Sequence, residues 1–89
     1  MKAIVTVVGK DKVGIIGNVC MSLANFNENV LDISQTVMQG YLTMMMAVDV
    51  SACNIPVAEL VTEMARIGEE MGLSIRVQRQ DIFEAMHRI

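Results

Sequence analysis

The pattern of apolar and polar positions changes period several times along the chain, and each change marks a predicted element. The first eight residues are almost continuously apolar and β-branched, which is typical of a strand covered on both faces. Residues 9–14 break this pattern with two glycines and three charges, which is typical of a loop. From residue 15 the pattern predicts a helix, because apolar side chains then recur every three or four residues, at Ile16, Val19, Cys20, Leu23 and Phe26.

The next part of the chain predicts two strands joined by a tight turn. Asn27 follows the predicted helix and is expected in the left-handed conformation, since Asn tolerates a positive φ better than most residues. Residues 30–37 alternate between apolar and polar side chains, which predicts a half-exposed strand. Gln39-Gly40 predicts a hairpin turn. Residues 42–50 are apolar at nearly every position and predict a second strand covered on both faces.

The rest of the chain predicts a helix, a strand and a short terminal helix. Pro56 is the only proline, and it stands where the helix is expected to begin. Apolar residues then recur with helical spacing as far as Gly72, which is expected to end the helix. Residues 73–80 alternate like an edge strand, and Asp81 is expected to cap a last helix over residues 81–88.

These elements follow the order βαββαβ, with one more helix at the end. This order predicts an α+β fold of the ferredoxin-like type, in which two helices cover one face of a four-stranded antiparallel sheet. The first and third strands are expected at the centre, because they are the continuously apolar ones. A length of 89 residues is enough for one domain, which we expect to span residues 1–89, with the βαββαβ core over residues 2–80.

The central strands are predicted to be apolar on both faces. In the first strand Ile4 and Val8 point away from Val5 and Val7, because successive side chains alternate. Two helices cover only one face, so the second face needs another cover. We expect the terminal helix to supply part of it and a second subunit the rest, which predicts a homodimer.

Charge and composition exclude several classes of function. The net charge is −3 and the sequence pI is about 4.9, so the chain lacks the basic surface that nucleic-acid binding requires. No apolar stretch approaches the roughly 20 residues that span a bilayer, and the first residues do not resemble a signal peptide. We therefore expect a cytoplasmic protein that binds neither nucleic acid nor membrane.

No pattern of residues in the chain is typical of catalysis or metal binding. No nucleophile–base pair and no metal-ligand spacing is present, so we expect no catalytic residue, no metal and no cofactor. Cys20 and Cys53 lie in apolar segments and are expected to be buried thiols. The run Met44–Met46 is expected to fill the core, with Met45 facing away from its neighbours. His87 is the only histidine and is expected at the surface.

The segment that joins the first strand to the first helix is the best candidate for a binding site. Glycines allow backbone N–H groups to approach a ligand closely, and a helix N-terminus favours an anion such as a carboxylate. Lys10 and Lys12 add positive charge, and Asp11 has the charge to bind an α-ammonium group. Asp11 is equally able to brace the loop, and the whole segment can also be interpreted as a short connection with solvated charges.

Two patches in the same register resemble the ACT domain family. The run Thr6–Ile16 resembles the signature in which Asp, a basic residue, any residue, Gly and an aliphatic residue follow the first strand. The run Asn29–Gln35 resembles the Asn-Ile-x-x-Ile-x-Gln pattern of the second strand. With its Ile82–Met86 ending, the chain is most similar to stand-alone, single-domain ACT proteins. These are related to the amino-terminal domain of formyltetrahydrofolate deformylase.

The resemblance implies a regulatory function without catalysis. ACT domains bind amino acids or similar small effectors, usually at a subunit interface, which implies an effector-binding homodimer. The residues that match the family's contact positions are Gly9, Asp11, Lys12, Val13, Gly14, Ile15 and Asn29. Many ACT domains have Pro where Val13 stands and Gly where Asn27 stands. The alternative hypothesis is a protein-interaction subunit that docks on a separate metabolic enzyme and has no ligand of its own.

Overall fold

The computed structural model describes residues 1–10 and 14–86, which form a four-stranded sheet and three helices. The strands are Lys2–Lys10 (β1), Asn29–Met38 (β2), Tyr41–Asp49 (β3) and Leu73–Arg79 (β4). The helices are Ile15–Asn25 (α1), Val57–Met71 (α2) and Gln80–Met86 (α3). This confirms the predicted βαββαβ order with a short C-terminal helix.

The sheet is antiparallel and has the strand order β2-β3-β1-β4. The first and third strands are therefore central, as the continuous apolar runs predicted. At the middle of the sheet Val5 pairs with Met46 on one side and with Val77 on the other. The ferredoxin-like fold predicted from the sequence is confirmed.

The core lies between one face of the sheet and the helices α1 and α2. Alternate residues of each central strand point into it, and the helices add the apolar stripes that their spacing predicted. Its fully buried members are Ala3, Val5, Val7, Val19, Leu23, Met44, Val48, Leu60 and Met64. Met45 points to the opposite face and is 37% exposed, so the predicted split of the three consecutive methionines is confirmed.

The turns use the residues that the sequence predicted. Asn27 has a φ of 61° after α1, and Gly72 has a φ of 72° at the end of α2. Gln39 and Gly40 both have positive φ, as a two-residue hairpin turn of type I′ requires. One detail at the chain's end differs from the prediction, because helix α3 begins at Gln80 and Asp81 lies in its first turn. His87 lies outside the described residues, and its predicted surface position stays a prediction.

The structure corrects the prediction of a half-exposed second strand. β2 is an edge strand, and every residue of it except the half-buried Val30 is exposed. A β-bulge between Val30 and Asp32 leaves Leu31 without a partner in β3, so the simple alternation of the sequence does not continue through it. The physical reason is position, since helix α1 approaches this edge but covers only its beginning.

The second face of the sheet is more polar than the sequence indicated. Ile4, Val8, Met45 and Ala47 lie on it, but threonines, Ser34 and Arg76 surround them. Helix α3 packs where β1 begins and β4 ends, and it leaves Val8 43% exposed. Larger apolar side chains are exposed along β2, at Leu31, Ile33, Val37 and Met38. The surface that needs a cover is therefore chiefly the β2 edge.

Candidate functional site

Gly9 lies in β1 at the point where the chain leaves the sheet toward α1. A Cβ atom at this position would collide with the side chain of Leu73 and would lie 3.3 Å from the carbonyl oxygen of Gly72. The missing side chain therefore allows β4 to begin close beside β1. Packing within the sheet is sufficient to explain this glycine, and its position does not require a ligand.

Gly14 has a different role, because it forms the N-terminal boundary of α1. It has a φ of 84°, which a residue with a side chain adopts only at a cost. Its carbonyl oxygen accepts the first helical hydrogen bond, which the backbone N–H of Asn18 donates at 2.9 Å. The first turn contains no acidic side chain, and a Cβ on Gly17 would meet no described atom outside its own helix within 4 Å. Residues 1–10 and 14–86 therefore leave the positive end of the helix open to an approaching anion.

Ile15 cannot offer its side chain to a ligand. It is the first residue of α1 and is only 4% exposed, as part of the core, so only its backbone N–H is placed for binding. Asp11, Lys12 and Val13, the charged and apolar members of the predicted set, lie outside the described residues. The described candidate residues at this end of the sheet are therefore Gly9, Gly14 and Ile15.

Asn29 lies at the opposite end of the sheet from these residues. It pairs with Asp49, whereas Gly9 pairs with Leu42. Seven residue steps along β3 separate Leu42 from Asp49, or about 24 Å at roughly 3.4 Å per residue. One chain therefore does not bring the predicted contact residues together. A site that includes Asn29 requires a second copy of the chain.

Sequence reasoning overlooked two residues beside this helix. Gly17 and Asn18 are exposed in the first turn of α1, and the Asn18 Nδ2 atom lies 3.9 Å from the position that a Gly14 Cβ would occupy. An amide at this position is able to donate a hydrogen bond to a bound carboxylate. The signal in the sequence is the spacing, because Asn18 follows Gly14 by one helical turn.

Glu28, the residue before Asn29, was also not anticipated. It is only 8% exposed, and neither of its carboxylate oxygens has a hydrogen-bond partner among the described residues. Burial raises its pKa from 4.5 to about 7, because burial disfavours the charged form. No spacing or motif marks this residue, and only the tertiary structure shows that it points inward.

Neither a metal centre nor a membrane-spanning helix is found in residues 1–10 and 14–86. No group of three or more His, Cys, Asp or Glu side chains in these ranges is arranged to hold a metal ion. None of the helices in the same ranges is long and apolar enough to cross a bilayer. Cys20 and Cys53 are free and only half-buried, rather than fully buried as predicted.

The fold is that of an ACT domain. The profile of the ACT domain family matches residues 2–78, and the chain belongs to this family. It is 47% identical over 89 residues to a UPF0237 protein of Listeria innocua, and the match covers 100% of both chains. It also resembles the structure of an ACT domain protein from Streptococcus pneumoniae, with a TM-score of 0.83, 44% identity and 98% of each chain covered.

A more distant structure shares the fold alone. Formyltetrahydrofolate deformylase from Pseudomonas syringae pv. tomato superimposes with a TM-score of 0.79 at 20% identity, over 88% of this chain and 27% of the deformylase. The resemblance to stand-alone ACT proteins and to part of this enzyme is therefore confirmed. ACT domains are generally regulatory and ligand-binding, which gives the class of function for this chain.

Proposed function

We propose that this protein is a non-catalytic regulatory homodimer that binds an amino acid, or a similar small effector with a carboxylate, at the N-terminus of α1. The open first turn of α1 carries this proposal. Gly14 and Gly17 expose backbone there, and the turn contains no acidic side chain to compete with an anion. Backbone N–H groups and the helix dipole favour a carboxylate at such a position.

The edge strand β2 supports self-association. It offers an unpaired row of backbone groups and the exposed side chains of Leu31, Ile33, Val37 and Met38. Monomeric proteins usually protect such an edge with several charges or prolines, but β2 carries only Asp32. A second copy that pairs along β2 would cover both the backbone groups and the apolar side chains.

Antiparallel pairing of two β2 strands would also complete the effector site. A two-fold axis normal to the sheet reverses the direction of the partner's strand, so Asn29 of the partner subunit comes beside Met38. Met38 pairs with Tyr41, and Tyr41 pairs with Lys10 at the end of β1. Gly14 follows Lys10 by only four residues, so the N-terminus of α1 lies near the same end of the sheet, which the partner's Asn29 would reach.

Thermal-shift measurements with each amino acid at millimolar concentration test effector binding. A ligand at 100 times its Kd adds about 2.7 kcal/mol to the free energy of unfolding, so a true effector raises the melting temperature clearly. No shift with any amino acid would contradict amino-acid sensing. Light scattering at micromolar concentration tests the assembly separately, and a monomer would contradict the homodimer.

The exposed β2 edge also favours the alternative function, a subunit that docks on a separate metabolic enzyme. An exposed strand edge binds an extended segment of another protein by adding it to the sheet. Affinity purification from native extract distinguishes the two functions. A stoichiometric enzyme partner together with no thermal response to amino acids supports the docking subunit. A thermal response without such a partner supports the effector-binding dimer.

A further inference from the structure

A groove lies between α2 and α3, away from the N-terminus of α1 described above. It has a volume of about 350 Å³. Its apolar lining consists of Val57, Ala58 and Val61 from α2, Val77 from β4 and Ile82 from α3. The other residues that line it are Gln78 and Arg79. Small-molecule sites have this volume and this mixture, with apolar walls and a few polar groups that fix the ligand's orientation.

The apolar walls of this groove are incompletely covered by residues 1–10 and 14–86. Val77 is only 4% exposed, but Val61 is 39% exposed and Ile82 is 47% exposed. These two side chains come from different helices, and both line the same groove. An aliphatic chain lying between them would remove apolar surface from water on both sides, which favours binding in proportion to the area buried.

Among the described residues that line the groove, Arg79 is the only charged one. Its guanidinium Nη2 atom lies 2.8 Å from the Asp81 carboxylate, but the two side chains are 49% and 65% exposed. An ion pair this exposed contributes little, because water and salt screen it. A ligand carboxylate can therefore replace Asp81, since arginine binds carboxylates through two parallel hydrogen bonds, in a bidentate pair.

We propose that the groove between α2 and α3 binds a small aliphatic carboxylate, with its chain between Val61 and Ile82 and its carboxylate on Arg79. Asp81 then acts as an internal competitor for Arg79 and lowers the affinity for the ligand. This site is separate from the α1 N-terminus and does not depend on the proposed homodimer or its amino-acid effector.

The experiment uses octanoate as the probe and octylamine as a control with the same chain and the opposite charge. Titrations of the full-length protein are followed by calorimetry and by amide chemical shifts. We expect octanoate to shift residues of α2, β4 and α3, and octylamine to bind about tenfold more weakly or not at all. Equal binding of the two probes, or shifts confined to the first turn of α1, would overturn the proposal.

Three variants separate the contributions of charge and apolar contact. Arg79→Gln should weaken octanoate binding about tenfold, and Val61→Glu should abolish it by placing a carboxylate in the groove. Asp81→Asn should strengthen binding about threefold, because Arg79 is then released from an exposed competitor that binds it only weakly. Met21→Glu changes an exposed apolar residue of α1 elsewhere and should leave binding unchanged.

The Asp81→Asn variant is the sharpest of these tests, since most substitutions only weaken binding. Unchanged or weaker octanoate binding by Asp81→Asn would contradict the role of Arg79. Each variant is first checked for a cooperative melting transition. If Val61→Glu does not fold, Ile82→Glu tests the same wall of the groove from α3, and normal octanoate binding by that variant would overturn the proposal.

Discussion

Among the residues that the structure describes, Glu28 is the one charged side chain that is buried. It is buried without a hydrogen-bond partner among the described residues, and burial raises its pKa to about 7. Between pH 4.5 and 7 the folded state keeps this proton while the unfolded state loses it. The free energy of unfolding therefore falls as pH rises through this window and stays low above it.

We predict that Glu28→Gln removes this pH dependence. The natural protein should lose on the order of 3 kcal/mol of stability between about pH 4.5 and pH 8, and the variant should be the more stable of the two at pH 8. Urea denaturation at several pH values measures this. Glu69→Gln, at an exposed position of α2, is the control and should keep the natural pH profile. A Glu28→Gln profile that still falls with pH would assign the dependence to another group.

Gly17 offers a matched test of the effector site. A Cβ at this exposed position meets no described atom outside its own helix within 4 Å, so Glu and Gln are expected to be tolerated equally. Glu at the first turn favours the helix itself, but it repels a bound carboxylate. We predict that Gly17→Glu loses the thermal shift produced by the effector, whereas Gly17→Gln keeps it. Equal shifts for the two variants would place the ligand's carboxylate elsewhere.

At the scale of elements, α2 and β4 pack so closely that one position has no room for a side chain. A Cβ on Gly68 would lie 2.8 Å from the Ile75 Cγ1 atom and 2.9 Å from the carbonyl oxygen of Leu73. The Leu73 carbonyl belongs to the backbone at the start of β4, and backbone in a closely packed interior does not move aside easily. Glycine is otherwise unfavourable inside a helix, so the close contact between α2 and β4 explains why position 68 is a glycine.

We predict opposite effects for two glycine-to-alanine changes measured by urea denaturation. Gly68→Ala should lower the free energy of unfolding by roughly 1–2 kcal/mol, because the collision outweighs the gain in helix propensity. Gly17→Ala has open space around it and should raise the free energy of unfolding by up to about 1 kcal/mol. A stabilising Gly68→Ala would show that Ile75 and β4 shift readily.

The second strand shows where prediction from the pattern of a single element fails. Alternation in residues 30–37 gave the correct element but not its exposure. Ile33 pairs with Met46 and Val37 pairs with Leu42, so both lie on the helix side of the sheet, yet they are 43% and 54% exposed. Their burial depends on how far a neighbouring helix or subunit extends, and alternation alone does not contain that information.

At the scale of the whole molecule, the exposed edge of the sheet determines the expected assembly. We predict that Val37→Lys converts the proposed homodimer into a monomer, because it places a charge on the β2 edge. Val37→Thr keeps a β-branched residue in the strand and is the control, expected to remain dimeric. Sedimentation velocity over a range of concentrations measures the change. A dimeric Val37→Lys protein would show that the interface lies on another surface.

Which residues belong to the candidate site also depends on the structure of the whole molecule. The sequence placed Gly9, Gly14 and Ile15 together, because residues close along the chain stay close at the end of one strand. It also grouped Asn29 with them, on the basis of family resemblance. The register of the sheet puts Asn29 about 24 Å away within one chain, so its membership in the site depends on the geometry of the dimer.

The sequence by itself determined the order of the elements, the central position of β1 and β3, the turns at Asn27, Gln39-Gly40 and Gly72, and the family. These features follow from local periodicity, backbone preferences and continuous motifs, which a single chain displays directly. Only the tertiary structure decided the burial of Glu28, the exposure of the β2 edge, the groove beside Arg79 and the separation of Asn29 from Gly14. These depend on contacts between residues distant along the chain, and the positions of such contacts are set by packing rather than by any local pattern.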